Sequence, residues 1–589
     1  MCGIAGQLSI DGGPPDKRLV RRMATTLALR GPDDEGFYFD EHIGLGHRRL
    51  SIIDLDSGSQ PIGNEDGSVW VVSNSEIYNF KELRAHLIKK GHHFSTKGDT
   101  EVIVHLYEEY GETFVEKLVG MFAFALWDKR NRKLLLVRDK FGIKPLYYFI
   151  DRHCLLFASE IKGILQYQAL DKKLNYSALD DYFSFLYSTE PKTIFNNIHK
   201  LSPAHYLVYS AGKMTIKKYW DVNFDREEVR PEKYYREGLR SSLTESVRLA
   251  LQSDVPVGIF LSGGIDSSAV AVVASRLSNR PLRTFSVIFK ENHFNEAPFS
   301  RVVAKTLRTN HHELLVTKED AVRAIQKITA YLDEPFGDAS CIPTYCLSEF
   351  ARRSVKVVLT GDGSDELLAG YGWHAQSHEG TKFSHFFSKP ISEVFYDEES
   401  RAKLYSADLR KSISQYSKLP DAETRGRKWR RFNSLDKKLY TDIKTYLPSD
   451  ILLKVDRMSM MNSLEARPPY LNDIYVDFVT ALPAKMKYKK GIGKYLLKKA
   501  FEQDLPASVI TRKKMGFAVP MNLWLWEDGV FKDLVYDVLL DPKTRSRGIF
   551  NNRYVTHLLD QHSKLKEMNG YQIWLLFMFE LWQRKFIDN

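Results

Sequence analysis

Cysteine is scarce in this sequence, with four residues among 589. None of the four belongs to a C-x-x-C pair, and no cysteine–histidine cluster shows zinc-like spacing. The pattern favours a protein of a reducing compartment over a secreted protein stabilised by disulfide bonds. Apart from Cys2, we interpret the cysteines as small core residues: Cys154, Cys341 and Cys346.

Long apolar runs are also missing. No stretch approaches the roughly 18 residues that a membrane span needs, and no secretory signal is evident at the N-terminus. We therefore expect a cytoplasmic protein with no membrane partner. With 43% hydrophobic and 27% charged residues, the composition is typical of globular proteins, and the length favours more than one domain.

Acidic residues are fewer than basic ones, so the net charge is +11 and the pI is near 9.0. Lysine and arginine are densest at Arg425–Arg431 and from Lys485 to Lys499. Such runs can bind nucleic acid, but no nucleic-acid motif accompanies them. A solvated face or a field for anionic substrates explains them better, so we expect small-molecule partners and no nucleic acid.

The stretch from residue 257 to 277 combines a strand, a short loop and a helix. Val257–Leu261 predicts a buried strand, and Ala269–Leu277 predicts a helix packed on it. Gly263 and Gly264 let backbone N–H groups approach phosphate oxygens at the positive end of the helix. No lysine follows the glycines, so this is not a Walker loop. The loop adds a carboxylate for Mg²⁺ and three hydroxyl donors: Asp266, Ser262, Ser267 and Ser268.

This loop resembles the SGGxDS signature of PP-loop ATP pyrophosphatases, which hold the β,γ-phosphates as a leaving group and form an acyl-adenylate. An ordinary strand-to-helix turn is the alternative, but two serines and an aspartate in register argue against it. A second turn, Gly361–Tyr371, follows the apolar run Val355–Leu359 and carries three carboxylates. Two interpretations are open for these carboxylates. Acidic residues stabilise any helix when they lie near its N-terminus, and they can also bind Mg²⁺ that is held on a pyrophosphate.

The pattern of elements changes along the chain. Residues up to about 150 show many short strands and two amphipathic stretches, Phe80–Lys90 and Glu101–Tyr110, which suggests two packed sheets with helices outside. From about 233, strands alternate with helices, as in a doubly wound parallel sheet. Beyond about 380 the chain is mainly helical and basic. With a boundary at Tyr219–Glu232, we predict an α/β and α+β protein of two domains, residues 2–215 and 232–589.

Cys2 follows the initiator methionine directly. A small second residue normally allows that methionine to be removed, which would leave Cys2 with a free α-amine. The thiolate is then a nucleophile, and the α-amine, with a pKa of roughly 8, is its general base. Taken alone, a cysteine at position 2 could equally be there by chance and have no catalytic role.

Five motifs accompany Cys2: CGI at Cys2, RGPD at Arg30, RRLSI at Arg48, NSEIYN at Asn74 and GDTE at Gly98. Together they resemble class II glutamine amidotransferases. The resemblance implies an N-terminal-nucleophile α/β/β/α sandwich in which Cys2 attacks the glutamine amide and releases ammonia. The Asn74 amide and the N–H of Ser75 would hold the oxyanion. The glutamine site would use Arg49 for the α-carboxylate, Glu76 and Asp99 for the α-ammonium, and in all Arg49, Leu50, Ser51, Ile52, Ile53, Ser75, Glu76, Ile77 and Asp99.

One departure from the family lies in this motif, because Ser75 stands where the family has glycine. The backbone N–H survives the change. If the position needs a left-handed conformation, serine costs about 1–2 kcal/mol and misaligns the oxyanion site. We expect the domain to work nonetheless; an enzyme that uses ammonia but never hydrolyses glutamine would contradict this.

The resemblance extends to the whole chain. The motifs SGGIDSS, TFSV at Thr284, LTGDGSDE at Leu359 and KVDRMSMMNSLEARPPYL at Lys454 together resemble glutamine-hydrolysing asparagine synthetases. The implied ATP-binding residues are Leu261, Ser262, Gly263, Gly264, Asp266, Ser267, Ser268, Val287, Thr360 and Gly361. The implied adenylation residues are Asp362 and Lys494, with Asp266 and Asp365 for Mg²⁺ and Glu366 and Arg457 for substrate.

Three further residues of this region were considered. Glu465 and Arg467 fall in a segment predicted to be helical near aspartate and ATP, where an ion-paired structural helix is the alternative. Asn472 replaces an aspartate that is usual in the family. The family also suggests a homodimer.

The implied reaction has two halves. Aspartate attacks the α-phosphate of MgATP to give β-aspartyl-AMP and pyrophosphate, and ammonia from the Cys2 domain then attacks the acyl carbon. An apolar passage between the domains would keep water away. Three alternatives stay open: a related ligase acting on a sugar acid, peptide or secondary-metabolite precursor, a non-catalytic scaffold, and a basic nucleic-acid binder.

Overall fold

Two six-stranded antiparallel sheets form the N-terminal half of the computed structural model, which describes residues 2–225, 229–375, 395–414 and 429–588. Their strands are β1 Gly3–Ser9, β2 Asp34–Phe39, β3 Ile43–Arg49, β4 Ile62–Gly63, β5 Val69–Ile77, β6 Gly120–Asp128, β7 Lys133–Arg138, β8 Tyr147–Ile150, β9 Cys154–Ala158, β10 Ile198–Lys200, β11 His205–Ser210 and β12 Lys213–Lys218. The strand orders are β10-β8-β9-β1-β3-β2 and β12-β11-β7-β6-β5-β4.

The two sheets pack face to face over an apolar core, in which Leu45 of one sheet and Leu136 of the other are fully buried. Helices cover the outer faces, because alternate strand residues point away from this core and need a second apolar layer. The helices of this half are α1 Lys17–Thr25, α2 Phe80–Lys89, α3 Val102–Tyr110, α4 Ile161–Ile164 and α5 Tyr176–Phe185. The predicted α/β/β/α sandwich is therefore confirmed.

A five-stranded parallel sheet organises the second half, with the order β15-β14-β13-β16-β17. Its strands are β13 Val257–Phe260, β14 Arg283–Ile288, β15 Asn310–Leu315, β16 Val357–Leu359 and β17 Glu465–Arg467, and a small hairpin adds β18 Tyr488–Lys489 and β19 Ile492–Gly493. From β13 the chain winds first to β14 and β15, then returns to β16 on the other side. The switch point between β13 and β16 opens a crevice at the carboxyl ends of the strands.

Helices flank the parallel sheet and fill the C-terminal part, which confirms the doubly wound fold with a helical end. Those between the strands are α6 Glu232–Ala250, α7 Ile265–Leu277, α8 Ala297–Leu307, α9 Lys318–Tyr331, α10 Cys341–Arg352, α11 Ser364–Leu368 and α12 Gly372–Ala375. The later ones span Glu398–Leu404, Ala407–Ser414, Ser434–Lys444, Leu452–Met460, Asp473–Thr480, Ala484–Lys487, Tyr495–Phe501, Ala507–Ile510, Met521–Trp526, Val530–Leu540, Pro542–Ser546, Asn552–Ser563 and Gly570–Phe586.

Several local expectations need correction. Glu465–Arg467 forms a strand and not a helix, because it pairs with β16 at the edge of the parallel sheet. The helix after the glycine loop begins at Ile265, before the predicted Ala269. Part of the basic run Arg425–Arg431 lies outside the described residues. The run from Lys485 to Lys499 is not a uniform solvated face, since Lys487 is fully buried and lies 2.7 Å from Asp436.

The remaining cysteines, Cys154, Cys341 and Cys346, are buried. Among the described residues, every helix is too short or too polar to span a bilayer.

Candidate active sites

Cys2 lies at the start of β1 with 8% of its surface exposed. Its backbone N–H donates to Asn74 Oδ1 at 2.9 Å, whereas Asn74 Nδ2 is buried without a hydrogen-bond partner among the described residues. A buried amide N–H that lacks a partner is a donor available to an oxyanion. Burial raises the pKa of the Cys2 thiol, so forming the thiolate needs a base.

Two carboxylates predicted to hold an α-ammonium group lie nearby. Asp99 Oδ2 accepts a hydrogen bond from Ile77 N at 2.8 Å, and burial raises the pKa of Asp99 to about 6. Burial also raises the pKa of Glu76, against the opposing charge of Arg467. Glu76 Oε1 lies 2.9 Å from Arg467 Nη2, so a cation from the second half of the chain already pairs with one of the two carboxylates.

Arg49 is buried, and its guanidinium donates to the backbone carbonyl oxygens of Asp54 and Leu55. The loop that follows Arg49 packs its apolar side chains into the protein interior. Leu50 and Ile52, each 2% exposed, belong to an apolar cluster shared with the second half. The side chains of Leu50 and Ile52 are therefore held in this cluster.

Ser75 lies within β5 and pairs with Phe122 of β6. Its φ is outside the left-handed region, since Ser75 is absent from the described non-glycine residues with positive φ. Its hydroxyl accepts a hydrogen bond from Ser73 Oγ at 2.7 Å. The strain expected if this position needed a left-handed conformation therefore does not arise.

A cavity of about 380 Å³ occupies the crevice at the ends of β13 and β16. An adjoining cavity of about 730 Å³ shares Ser262 and Asp266 with it and is also lined by Gly264 and Lys494. Gly263 has a φ of +70°, and a Cβ there would lie 2.4 Å from Ser300 N, so this position admits only glycine. The predicted residues that line the first cavity are Leu261, Ser262, Asp266, Ser267, Val287, Thr360, Gly361, Asp362, Asp365 and Glu366.

Charged groups converge between the two cavities. Lys494 Nζ lies 2.5 Å from Asp266 Oδ2 and 2.6 Å from Asp365 Oδ1. Lys514 Nζ lies 2.7 Å from the second oxygen of Asp365. Burial opposes ionisation of Asp365, but the two lysines lower its pKa. Two carboxylates that share one cation present hard oxygen donors from both glycine loops, and this donor set fits Mg²⁺.

Basic residues of the segment Arg512–Lys514 belong to this site and were not predicted. Arg512 lies 2.7 Å from Glu296, which lines both cavities. Lys454 contributes another cation, 2.6 Å from Asp338. The available signal was the basic run Arg512–Lys514, but the carboxylates that pair with Arg512 and Lys514 lie far away in sequence.

The two predicted substrate residues lie in different places. Glu366 lines the first cavity and accepts a hydrogen bond from Tyr371 Oη at 2.6 Å. Burial and the neighbouring Asp365 raise the pKa of Glu366 to about 8. Arg457 is instead buried in an ion-pair network, 2.8 Å from Glu160 and 3.2 Å from Asp333. The structure does not bring Arg457 together with the other predicted residues.

The Cys2 site faces the second half of the chain. Arg30 Nε donates to the Cys2 carbonyl oxygen at 3.1 Å, and the same guanidinium makes two bonds to Asp456 at 2.7 and 3.0 Å. Strand β17 touches both sites, because the Arg467 side chain pairs with Glu76 while its carbonyl accepts from Thr360 N at 3.0 Å. The contact between the two halves of the chain is therefore lined by charged side chains as well as apolar ones.

Two family models match the chain in succession. Residues 1–220 match the glutamine amidotransferase domain, and residues 238–584 match asparagine synthase. The glutamine-hydrolyzing asparagine synthetase 1 of Bacillus subtilis is 34% identical over 99% of this chain and 96% of its own. The chain belongs to the asparagine synthase family.

Two further proteins are similar to this chain over most of their length. A putative glutamine-hydrolyzing asparagine synthetase of Mycobacterium tuberculosis is 30% identical over 100% of this chain and 98% of its own. A Gibberella zeae protein named amidase chry2 is 30% identical over 89% and 90%. Family membership and the two matched domains identify a glutamine-dependent carbon–nitrogen ligase with an amidotransferase half and a synthetase half.

Proposed function

We propose that this ligase converts L-aspartate to L-asparagine, using ATP to activate the side-chain carboxylate and glutamine as the nitrogen donor. The observation that carries the proposal is the convergence of Lys494, Lys514 and two carboxylates on the cavity beside the glycine loop. Such a cluster suits a polyphosphate whose α-phosphate is under attack.

In the first half-reaction, an aspartate carboxylate oxygen attacks the α-phosphorus of ATP, and the bond to the pyrophosphate oxygen breaks. Lys494 and Lys514 would balance the charge that accumulates on the phosphate oxygens. Asp266 and Asp365 would hold Mg²⁺, which supplies charge neutralisation on the pyrophosphate. The products of this half are β-aspartyl-AMP and pyrophosphate.

In the second half-reaction, the Cys2 thiolate attacks the glutamine amide carbon, and Asn74 Nδ2 donates to the resulting oxyanion. Ammonia leaves, and water later hydrolyses the thioester to glutamate. Ammonia then attacks the acyl carbon of β-aspartyl-AMP, forms asparagine and releases AMP. Burial of Cys2 against the synthetase half supports delivery of neutral ammonia within the protein.

A different carboxylate acceptor is the second candidate, because one relative bears the name amidase. Pyrophosphate release with ATP, Mg²⁺ and ammonium tests the two. We expect release with L-aspartate and at least about tenfold less with L-glutamate, succinate, uronic acids or a C-terminal peptide carboxylate, since buried polar groups reject ill-matched ligands. Chromatography should show asparagine and AMP. Release with another carboxylate but not with aspartate would contradict the proposal.

The raised pKa of Asp99 predicts how glutamine binding depends on pH. Below pH 6 this carboxylate is increasingly protonated and loses its attraction for the α-ammonium. We expect the KM for glutamine, measured as glutamate release without aspartate, to rise about tenfold from pH 7 to pH 5. An Asp99→Asn variant should have a high KM that lacks this inflection. A flat wild-type KM across the range would show that Asp99 does not bind glutamine.

A further inference from the structure

A second cluster of titratable side chains lies in the amidotransferase half. Glu65 belongs to the turn between β4 and β5, His92 to the loop between α2 and α3, and His105 and Glu108 to α3. One possible ligand atom from each residue lies within 4.8 Å of the others. These residues come from three separate segments, so no zinc-like spacing is visible along the chain.

The separations within this cluster match those of a metal coordination shell. His92 Nδ1 lies 3.4 Å from Glu65 and 3.7 Å from Glu108. His105 Nδ1 lies 3.4 Å from Glu65 and 3.2 Å from Glu108. A tetrahedron with metal–ligand bonds of about 2.0–2.1 Å has edges of about 3.3–3.4 Å. The four histidine–carboxylate separations are close to these edges, and all four ligand atoms lie within 4.8 Å of one another, so small side-chain movements would gather them around one small cation.

A second layer of groups holds these side chains in orientation. Away from the cluster centre, His92 Nε2 lies 3.2 Å from Glu109, and His105 Nε2 lies 3.8 Å from Glu101. The cluster carboxylates are also held, since Glu108 accepts from Asn64 Nδ2 at 2.7 Å and Glu65 accepts from His93 N at 2.9 Å. The carboxylate of Glu109 behind the His92 imidazole is the arrangement that orients a histidine for a metal.

Charge and exposure favour a cation at this place. Four carboxylates, Glu65, Glu101, Glu108 and Glu109, surround two imidazoles. The His105 side chain is fully buried, whereas the Glu65 and Glu108 side chains are 35% and 29% exposed and leave a route from solvent. The two buried or half-buried imidazoles therefore face a group of carboxylates that would balance the charge of a divalent ion.

We propose that Glu65, His92, His105 and Glu108 bind one divalent transition-metal ion of the zinc class. The two imidazole donors favour Zn²⁺ over Mg²⁺, and four protein ligands describe a structural ion with no open position for chemistry. The ion would tie the β4–β5 turn and the α2–α3 loop to α3. This loop also carries Asp99 of the glutamine site.

Metal titration of the full-length, tag-free protein tests the site. After dialysis against a chelator, Zn²⁺ is added in competition with a chromophoric indicator, and Co²⁺ is added to record its d–d absorption. We expect one tight equivalent, a tetrahedral Co²⁺ spectrum and a higher melting temperature with Zn²⁺ than without it. The Glu108→Gln and His92→Ala variants should bind at least about tenfold more weakly.

His93→Ala is the matched control, because this neighbouring side chain is exposed and outside the cluster. It should bind as the wild type does. Circular dichroism of each variant before metal addition separates lost ligands from lost folding. Equal uptake by the wild type and both ligand variants would mean adventitious binding. No uptake by the folded wild type would mean that protons on the histidines balance the carboxylates. Either result overturns the proposal.

Discussion

A Cys2→Ala variant is expected to lose glutamine-dependent amide formation by at least about a thousandfold, while the ammonium-fed reaction stays within about twofold of wild type. The thiol is the nucleophile for the glutamine amide, and alanine offers no replacement. The synthetase cavity does not contain residue 2, so activation of aspartate should be unchanged. Asparagine formation with each nitrogen source, measured side by side, gives both rates.

Cys154→Ala is the control for this experiment, since Cys154 is a buried cysteine on β9. It should retain the ratio of glutamine-fed to ammonium-fed activity. If Cys2→Ala still released glutamate from glutamine, another nucleophile would be responsible. If it lost both reactions equally despite normal folding, the two half-reactions would not be separable as proposed.

Replacing Lys494 with methionine is expected to reduce aspartate-dependent pyrophosphate release about 10²–10³-fold with either nitrogen source. Methionine keeps the side-chain volume but removes the cation that lies within 2.6 Å of both Asp266 and Asp365. Loss of one preorganised charge at a reacting phosphate typically costs this much. Glutamate release from glutamine should persist, because the Cys2 site is intact.

Lys499→Met is the matched control, since this lysine lies on the helix that begins directly after Lys494, is 42% exposed and pairs with Glu502. It should leave pyrophosphate release unchanged. Lys494→Arg retains the charge and should recover part of the activity if charge is what matters. Pyrophosphate release at the wild-type rate in Lys494→Met would remove this lysine from the adenylation chemistry.

Local patterns in the sequence predicted the secondary-structure elements that position both sites. The apolar strand before Ser262 and the glycines after it led to the correct crevice, because a strand–loop–helix unit is encoded within a few residues. Cys2 and Asn74 were likewise predicted to act together, and the structure places them in hydrogen-bond contact. Their roles in binding and catalysis remain predictions that the experiments above address.

Contacts between distant segments were beyond local patterns. Lys514 pairs with Asp365, which lies 149 residues before it, and Arg467 pairs with Glu76 of the other half of the chain. Arg457 shows the opposite error, because a buried ion pair between halves and a ligand-binding arginine look the same in sequence. The strand at Glu465 was read as helix, since three residues at a sheet edge carry too little periodicity.

Strand β17 bears on how such ligases can be recombined. A chimaera that joins the amidotransferase half of one relative to the synthetase half of another must keep Arg467 opposite Glu76, or leave a buried carboxylate without its counter-charge. Replacing Arg467 would also disturb strand β17, because the backbone carbonyl of this residue accepts a hydrogen bond from Thr360 N. The two halves are therefore not interchangeable modules, and inheritance of one constrains the other.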